Sequence, residues 1–134
     1  AERAAEHGSR RGKLVLLGHS MGGAVAARFV AEGTAAQPAA WHRKVDALVL
    51  SSPALVADVG PLDRLLLAVM PHLAPNLAVA NGLKPQWVSR DAKTVADYIA
   101  DPLNHARITP RLGRFVLDAG HAARAAAPRW AVPT

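Results

Sequence analysis

Apolar and polar positions divide the chain into two textures. Near its start, Lys13-Leu14-Val15-Leu16-Leu17 and Val45-Asp46-Ala47-Leu48-Val49-Leu50 are short, nearly unbroken apolar runs. Continuous rather than alternating apolarity suits strands buried on both faces, as in a parallel sheet. Between them, Gly18 to Gly23 reads as a turn, and residues 34–44 read as a loop carrying Pro38. Ala24 to Glu32 reads as a helix, with Val25, Phe29 and Val30 on one side and Gly33 as its stop. The order strand, turn, helix, loop, strand predicts one βαβ unit with parallel strands and a right-handed crossover. The carboxyl ends of both strands then share one sheet edge. Ser20 and Ser51-Ser52-Pro53 fall on that edge, where open α/β sheets bind their ligands.

After Pro53 the period changes, and residues 54–127 show helical spacing with no strand pattern. Leu62, Leu65, Leu66, Val69 and Leu73 recur after Pro61, a favourable first helical residue, and Pro71, Pro75 and Asn81-Gly82 are expected to interrupt the stretch. A second helix spans about Asp91 to Ala100, with Val95, Tyr98 and Ile99 on one face, and stops before Pro102. A third opens with Thr109 as N-cap and Pro110 in first position, and carries a stripe of Leu112, Phe115, Val116 and Ala119. Trp130 to Thr134 reads as extended. Residues 1–11 are polar and helix-compatible. The expected organisation is therefore residues 1–53 as a partial α/β core, 54–127 as a helical segment, and 128–134 as the lead-in to a further strand.

Composition narrows the classes. At 134 residues there is room for one domain, and 51% of positions are hydrophobic. Alanine supplies 29 of them, so the core is thin for its percentage. Cysteine is absent, which excludes disulfides, thiolate metal sites and a cysteine nucleophile. Six His and ten acidic residues show no ligand spacing such as H-E-x-x-H, so no metal is expected. No apolar run reaches the roughly 18 residues of a membrane span. No signal-peptide pattern opens the chain, which points to a cytoplasmic or peripheral-membrane location. The first residue is Ala1 rather than Met, a hint of a longer protein. The formal charge is +6, but the basic residues are scattered with few aromatics among them. No nucleic-acid partner is expected on that pattern; a non-catalytic basic module is the alternative from a different functional class.

The motif that carries chemistry is Gly18-His19-Ser20-Met21-Gly22, a G-x-S-x-G pattern directly after a strand and directly before a helix. In that context Ser20 sits in a strained turn with its hydroxyl projecting from the sheet edge, as a nucleophile requires. Gly18 and Gly22 are expected to make room for the turn and for close helix packing, and Gly23 thins the helix start further. Met21 N–H, at the helix N-terminus, is placed to stabilise an oxyanion. His19 reads as wall or packing rather than as the base. The dinucleotide loop G-x-G-x-x-G and the phosphate loop Gly-Lys-Ser/Thr are both missing, so no cofactor is expected. Asp118 and His121 follow Ser20 in order, but lie three apart on one predicted helix and read as surface residues. His72 and His105 read as surface or packing residues, with lining a pocket as the alternative.

These residues, followed by Val45 to Leu50 and Ser51-Ser52-Pro53-Ala54, resemble the α/β-hydrolase superfamily. The resemblance is to its monoacylglycerol lipase and lysophospholipase-like branch, also labelled serine aminopeptidase-like. Tyr98-Ile99-Ala100-Asp101-Pro102-Leu103 is similar to the cap of that branch. The resemblance implies a mostly parallel eight-stranded sheet, with the strands near 13–17 and 45–50 as its fifth and sixth, and a helical cap over residues 54–127. It implies a Ser…Asp…His triad in that order, with Ser20 as nucleophile and Met21 N–H as one oxyanion donor. The triad Asp and His follow the family's seventh and eighth strands and are matched nowhere in this chain. A central fragment, inactive or nearly so alone, is therefore expected. The implied substrate is a small lipid-like ester, reached through a greasy cap that also offers peripheral membrane contact. A peptidase, thioesterase or acyltransferase on the same scaffold remains open.

Overall fold

The computed structural model describes residues 12–56 and 59–134. The helix-compatible stretch 1–11 lies outside them. The chain divides into two compact units, residues 1–58 with 116–134, and residues 59–115.

In the first unit, β1 (Val15–His19) and β2 (Ala47–Ser51) form a parallel pair, registered from Val15↔Ala47 to His19↔Ser51. They are joined through α1 (Met21–Glu32), as the βαβ reading requires. Asp46 lengthens the ladder upstream: its carboxylate accepts Leu14 N–H at 2.8 Å, and its own N–H donates to the Leu14 carbonyl at 2.8 Å. Ala26, Val30, Val45 and Leu48 form the core, with Leu14, Leu16, Phe29, Leu50, Trp130 and Val132 packed against it. Burying a side chain such as Leu48, 2% exposed, contributes about 1.5–3 kcal/mol.

The strands differ from expectation in two ways. Both begin about two residues late, and β1 runs on through Gly18 and His19, because those residues pair with Leu50 and Ser51. Among the described residues, the strands are also covered on one face and not on the other. Leu16 and Leu48 turn toward α1, while Val15 and Leu17 are 55% and 73% exposed and Val49 is 47% exposed. Among the described residues, α1 and the terminal segment contribute the side chains packed with the covered face. That segment runs beside β2, where the Pro133 carbonyl accepts Leu48 N–H at 2.9 Å.

In the second unit, α2 (Pro61–Leu73) starts at its proline and ends at Leu73. Pro71 does not interrupt it. The proline sits in the last turn, where its missing N–H forfeits only one hydrogen bond before the helix closes at Ala74. Asp91 caps α3 (Ala92–Ala100), accepting from Lys93 N–H and Thr94 N–H. Two short strands, β3 (Val79–Ala80) and β4 (Arg107–Ile108), pair antiparallel. They correct the expectation of helices alone. Two-residue strands are too short to show a period, and Arg107 adds a side-chain bond to the Ala78 carbonyl at 2.9 Å.

The last helix, α4 (Pro110–Ala126), begins after Thr109, whose hydroxyl accepts Leu112 N–H at 3.3 Å as an N-cap should. Farther along, its Gly120 passes against the backbone of Leu55. A Cβ there would collide with the Leu55 carbonyl, and Arg124 donates to the same oxygen.

Two outcomes follow. Replacing an exposed helical glycine by alanine ordinarily stabilises by about 1 kcal/mol. Gly120→Ala is expected to destabilise instead, by about 1–3 kcal/mol, because the obstructing atoms are backbone. Thermal unfolding checks the sign. The Asp91 carboxyl is held below its usual range by the Thr94 hydroxyl and then by the Lys93 and Thr94 amides. A depressed folded pKa stabilises above the unfolded value near 3.8 and loses that contribution as pH falls through the folded value. Protection factors of the α3 amides, corrected for intrinsic exchange, should fall in acid, and Asp91→Asn should flatten that dependence.

Candidate active site

The first unit passes from strand to helix in one residue. β1 ends at His19, α1 begins at Met21, and Ser20 makes the turn with φ 51° and ψ −119°. This explains why the helix starts three residues before the expected Ala24. A left-handed φ costs a non-glycine residue about 1–3 kcal/mol, so the surroundings must impose it. Ser20 N–H donates to the Ser51 carbonyl at 3.0 Å. The Ser20 carbonyl accepts from Gly23 at 3.0 Å, Ala24 at 3.3 Å and Ala54 at 3.0 Å. The first two bonds open the helix. The third fastens the segment after β2 across the turn.

Ser20 occupies the N-cap position of α1, yet its side chain makes no capping hydrogen bond. An ordinary N-cap serine has extended backbone and turns its oxygen back to a first-turn amide. The positive φ removes that option. The residue is exposed and its hydroxyl is not consumed by the helix. Met21 N–H and Gly22 N–H lie ahead of the first helical hydrogen bond, at the positive end of the helix dipole.

Close packing falls on Gly18 and Gly23. A Cβ on Gly18 would lie 2.5 Å from the Gly22 carbonyl oxygen and 2.7 Å from Gly23 Cα; one on Gly23 would lie 2.7 Å from Pro53 Cβ. Gly22 faces open space, which corrects the expectation that it makes the room. Its contribution to the crowding is its carbonyl oxygen, pressed against Gly18.

His19 is exposed at the end of β1, and its Nδ1 lies 3.0 Å from Ser51 Oγ. Ser52, the next residue, has φ 42°. Sequence reasoning placed Ser51 and Ser52 on the right edge but gave them no part in the turn. The register His19↔Ser51 was the available signal; the backbone of Ser52 has no sequence signature. Asp118 and His121 both lie on α4, with Asp118 half-buried and His121 exposed. His72 lies in the last turn of α2, and His105 Nδ1 accepts Arg107 N–H at 3.4 Å. Among the described residues, no group of three or more His, Asp or Glu is placed to hold a metal ion.

Residues 1–134 match the family model described as serine aminopeptidase. The chain belongs to this family of α/β-hydrolases. It is 36% identical over 109 residues to a monoacylglycerol lipase of Mycolicibacterium smegmatis, covering 79% of this chain and 36% of that protein. A monoglyceride lipase homolog of Monkeypox virus is 35% identical over 121 residues, covering 89% and 41%. The structure superposes on the monoacylglycerol lipase of Paleococcus ferrophilus with a TM-score of 0.77 at 33% identity, covering 98% of this chain and 48% of that one. A soluble variant of the Saccharomyces cerevisiae monoglyceride lipase shares the fold, with a TM-score of 0.62 at 17% identity. These relatives put this α/β-hydrolase on the monoacylglycerol lipase-like branch. The chain spans less than half the length of each.

The turn of this hydrolase segment makes a contrast testable by substitution. Gly23→Ala should cost about 1–3 kcal/mol by overpacking against Pro53. Gly22→Ala, facing open space in the first helical turn, should leave the melting temperature unchanged or slightly raised. Paired melts of the two variants decide it.

Proposed function

We propose that Ser20 is the nucleophile of a carboxylic-ester hydrolase acting on monoacylglycerol-like or lysolipid-like esters. The observation that carries this reading is the single-residue turn. It holds a serine at φ 51°, exposed, with its hydroxyl unused by the helix it precedes. The relatives' names support a lipid ester as substrate.

In this reading Ser20 Oγ attacks the ester carbonyl. Met21 N–H, at the head of α1, stabilises the negative charge that develops on the carbonyl oxygen. The alcohol leaves, and water then hydrolyses the acyl-enzyme. Asp118 and His121 are not assigned as acid and base, because a triad His must reach the serine while its partner holds the far ring nitrogen. Neighbours one helical turn apart are poorly disposed for that. No described residue is assigned here as the base or its orienting acid.

The second unit is the cap. Leu62, Leu65 and Leu73 of α2 are 67%, 61% and 74% exposed, and none of the helix is buried. Such a surface suits an acyl chain, and it suits peripheral contact with a lipid interface. No described helix is long and apolar enough to cross a membrane.

Ser20→Ala in the full-length protein is expected to abolish hydrolysis of a nitrophenyl ester, by a factor on the order of a million in kcat. It should also abolish labelling by a fluorophosphonate probe. Unchanged turnover would refute the assignment.

A further inference from the structure

We propose that His19 and Ser51 are a positioning pair that holds Ser20 in its attacking orientation. The proposal rests on the reading of Ser20 as nucleophile and concerns what fixes it. Among the described residues, two non-glycine residues have positive φ, Ser20 at 51° and Ser52 at 42°. They are not independent. Ser20 N–H is bonded to the Ser51 carbonyl, and the Ala54 N–H is bonded to the Ser20 carbonyl, each at 3.0 Å. The segment from Ser51 to Ala54 is thus a strap, strained at its own second residue, that grips the turn from both sides. Strain of this kind persists only where neighbouring contacts over-determine it.

Beside the packing of Pro53 on Gly23, a side-chain hydrogen bond fastens the strap to the turn. His19 Nδ1 and Ser51 Oγ are 3.0 Å apart, on residues directly paired across β1 and β2. His19 immediately precedes Ser20, and Ser51 supplies the carbonyl that takes the Ser20 amide. Loosening this pair therefore loosens the residue before the nucleophile and the acceptor of its amide together. Both residues are exposed among the described residues, so removing either side chain leaves no buried polar group unsatisfied there. The effect on reactivity is consequently separable from any effect on folding. The same contact accounts for His19 without making it a base.

The test compares variants of the full-length protein by fluorophosphonate labelling rate, by kcat and KM on a short-chain nitrophenyl ester, and by melting temperature. Ser51→Ala should lower kcat and the labelling rate about three- to tenfold, the size of one net hydrogen bond. KM and melting temperature should be unchanged. Ser51→Thr, which keeps the hydroxyl on a strand-compatible residue, should restore the rates. His19→Leu should match Ser51→Ala, and the double variant should be no slower than either single one. Wild-type rates in Ser51→Ala, fully additive losses, or losses that track a fall in melting temperature would each overturn the pair. A wild-type enzyme that the probe does not label would instead refute the role of Ser20, and the pair with it.

Discussion

The arrangement of the first unit depends on one backbone constraint, the left-handed conformation of Ser20 between β1 and α1. A strand and a helix joined by one residue must come very close to each other. The approach is possible because Gly18 and Gly23 have no Cβ where the backbone of residues 22–23 and the ring of Pro53 press in. The same closeness lets one carbonyl, that of Ser20, receive the amides of Gly23, Ala24 and Ala54. Helix start, strand end and the segment after β2 are therefore tied to one peptide group. Small residues continue the theme along α1: Gly23, Ala24, Ala26, Ala27 and Ala31 are its buried positions, with Val30. An alanine-rich helix face contributes little apolar area per residue, but it allows the close helix-to-sheet contact that the abrupt turn demands.

Much of this was legible in the sequence, and the reasons differ by element. The βαβ order followed from two apolar runs separated by a glycine-bounded helix. The helix starts were readable because Thr109 is a good N-cap and Pro61 and Pro110 are good first residues, whereas the capping role of Asp91 emerged only from the structure. The site motif was readable because G-x-S-x-G fell between a strand and a helix. The misreadings arose where sequence pattern underdetermines packing. A continuous apolar run shows that a strand could be covered on both faces, not which layers cover it, and Leu17 is 73% exposed. Period carries no information over two residues, so β3 and β4 were missed. The glycines look alike in the motif, and only the placed backbone distinguishes the crowded Gly18 and Gly23 from the unobstructed Gly22.

The second unit obeys a different balance. Its helices α2 and α3 contain no buried residue, and local devices hold them. The Asp91 cap serves α3, and the Lys93–Asp97 pair at 2.7 Å lies fully on the surface, where such a pair contributes little. A segment stabilised locally and apolar on its outside would suit the proposed role as a cap over a lipid-like substrate, since an acyl chain requires leucines that packing has not already used. That requirement conflicts with solubility, because exposed apolar patches of this kind invite association.

The two units therefore divide the physical demands of the proposed chemistry. Attack on a carbonyl needs an oxygen held to within a fraction of an ångström, and the turn at Ser20 answers with crowded glycines, strained backbone and several hydrogen bonds on one peptide. Recognition of an acyl chain needs area rather than direction, because hydrophobic burial is non-directional. An open leucine-rich surface meets that need without fixed geometry. Precision is concentrated in eleven residues, 18–24 and 51–54, and the core of Ala26, Val30, Val45 and Leu48 packs α1 on the strand pair that carries them.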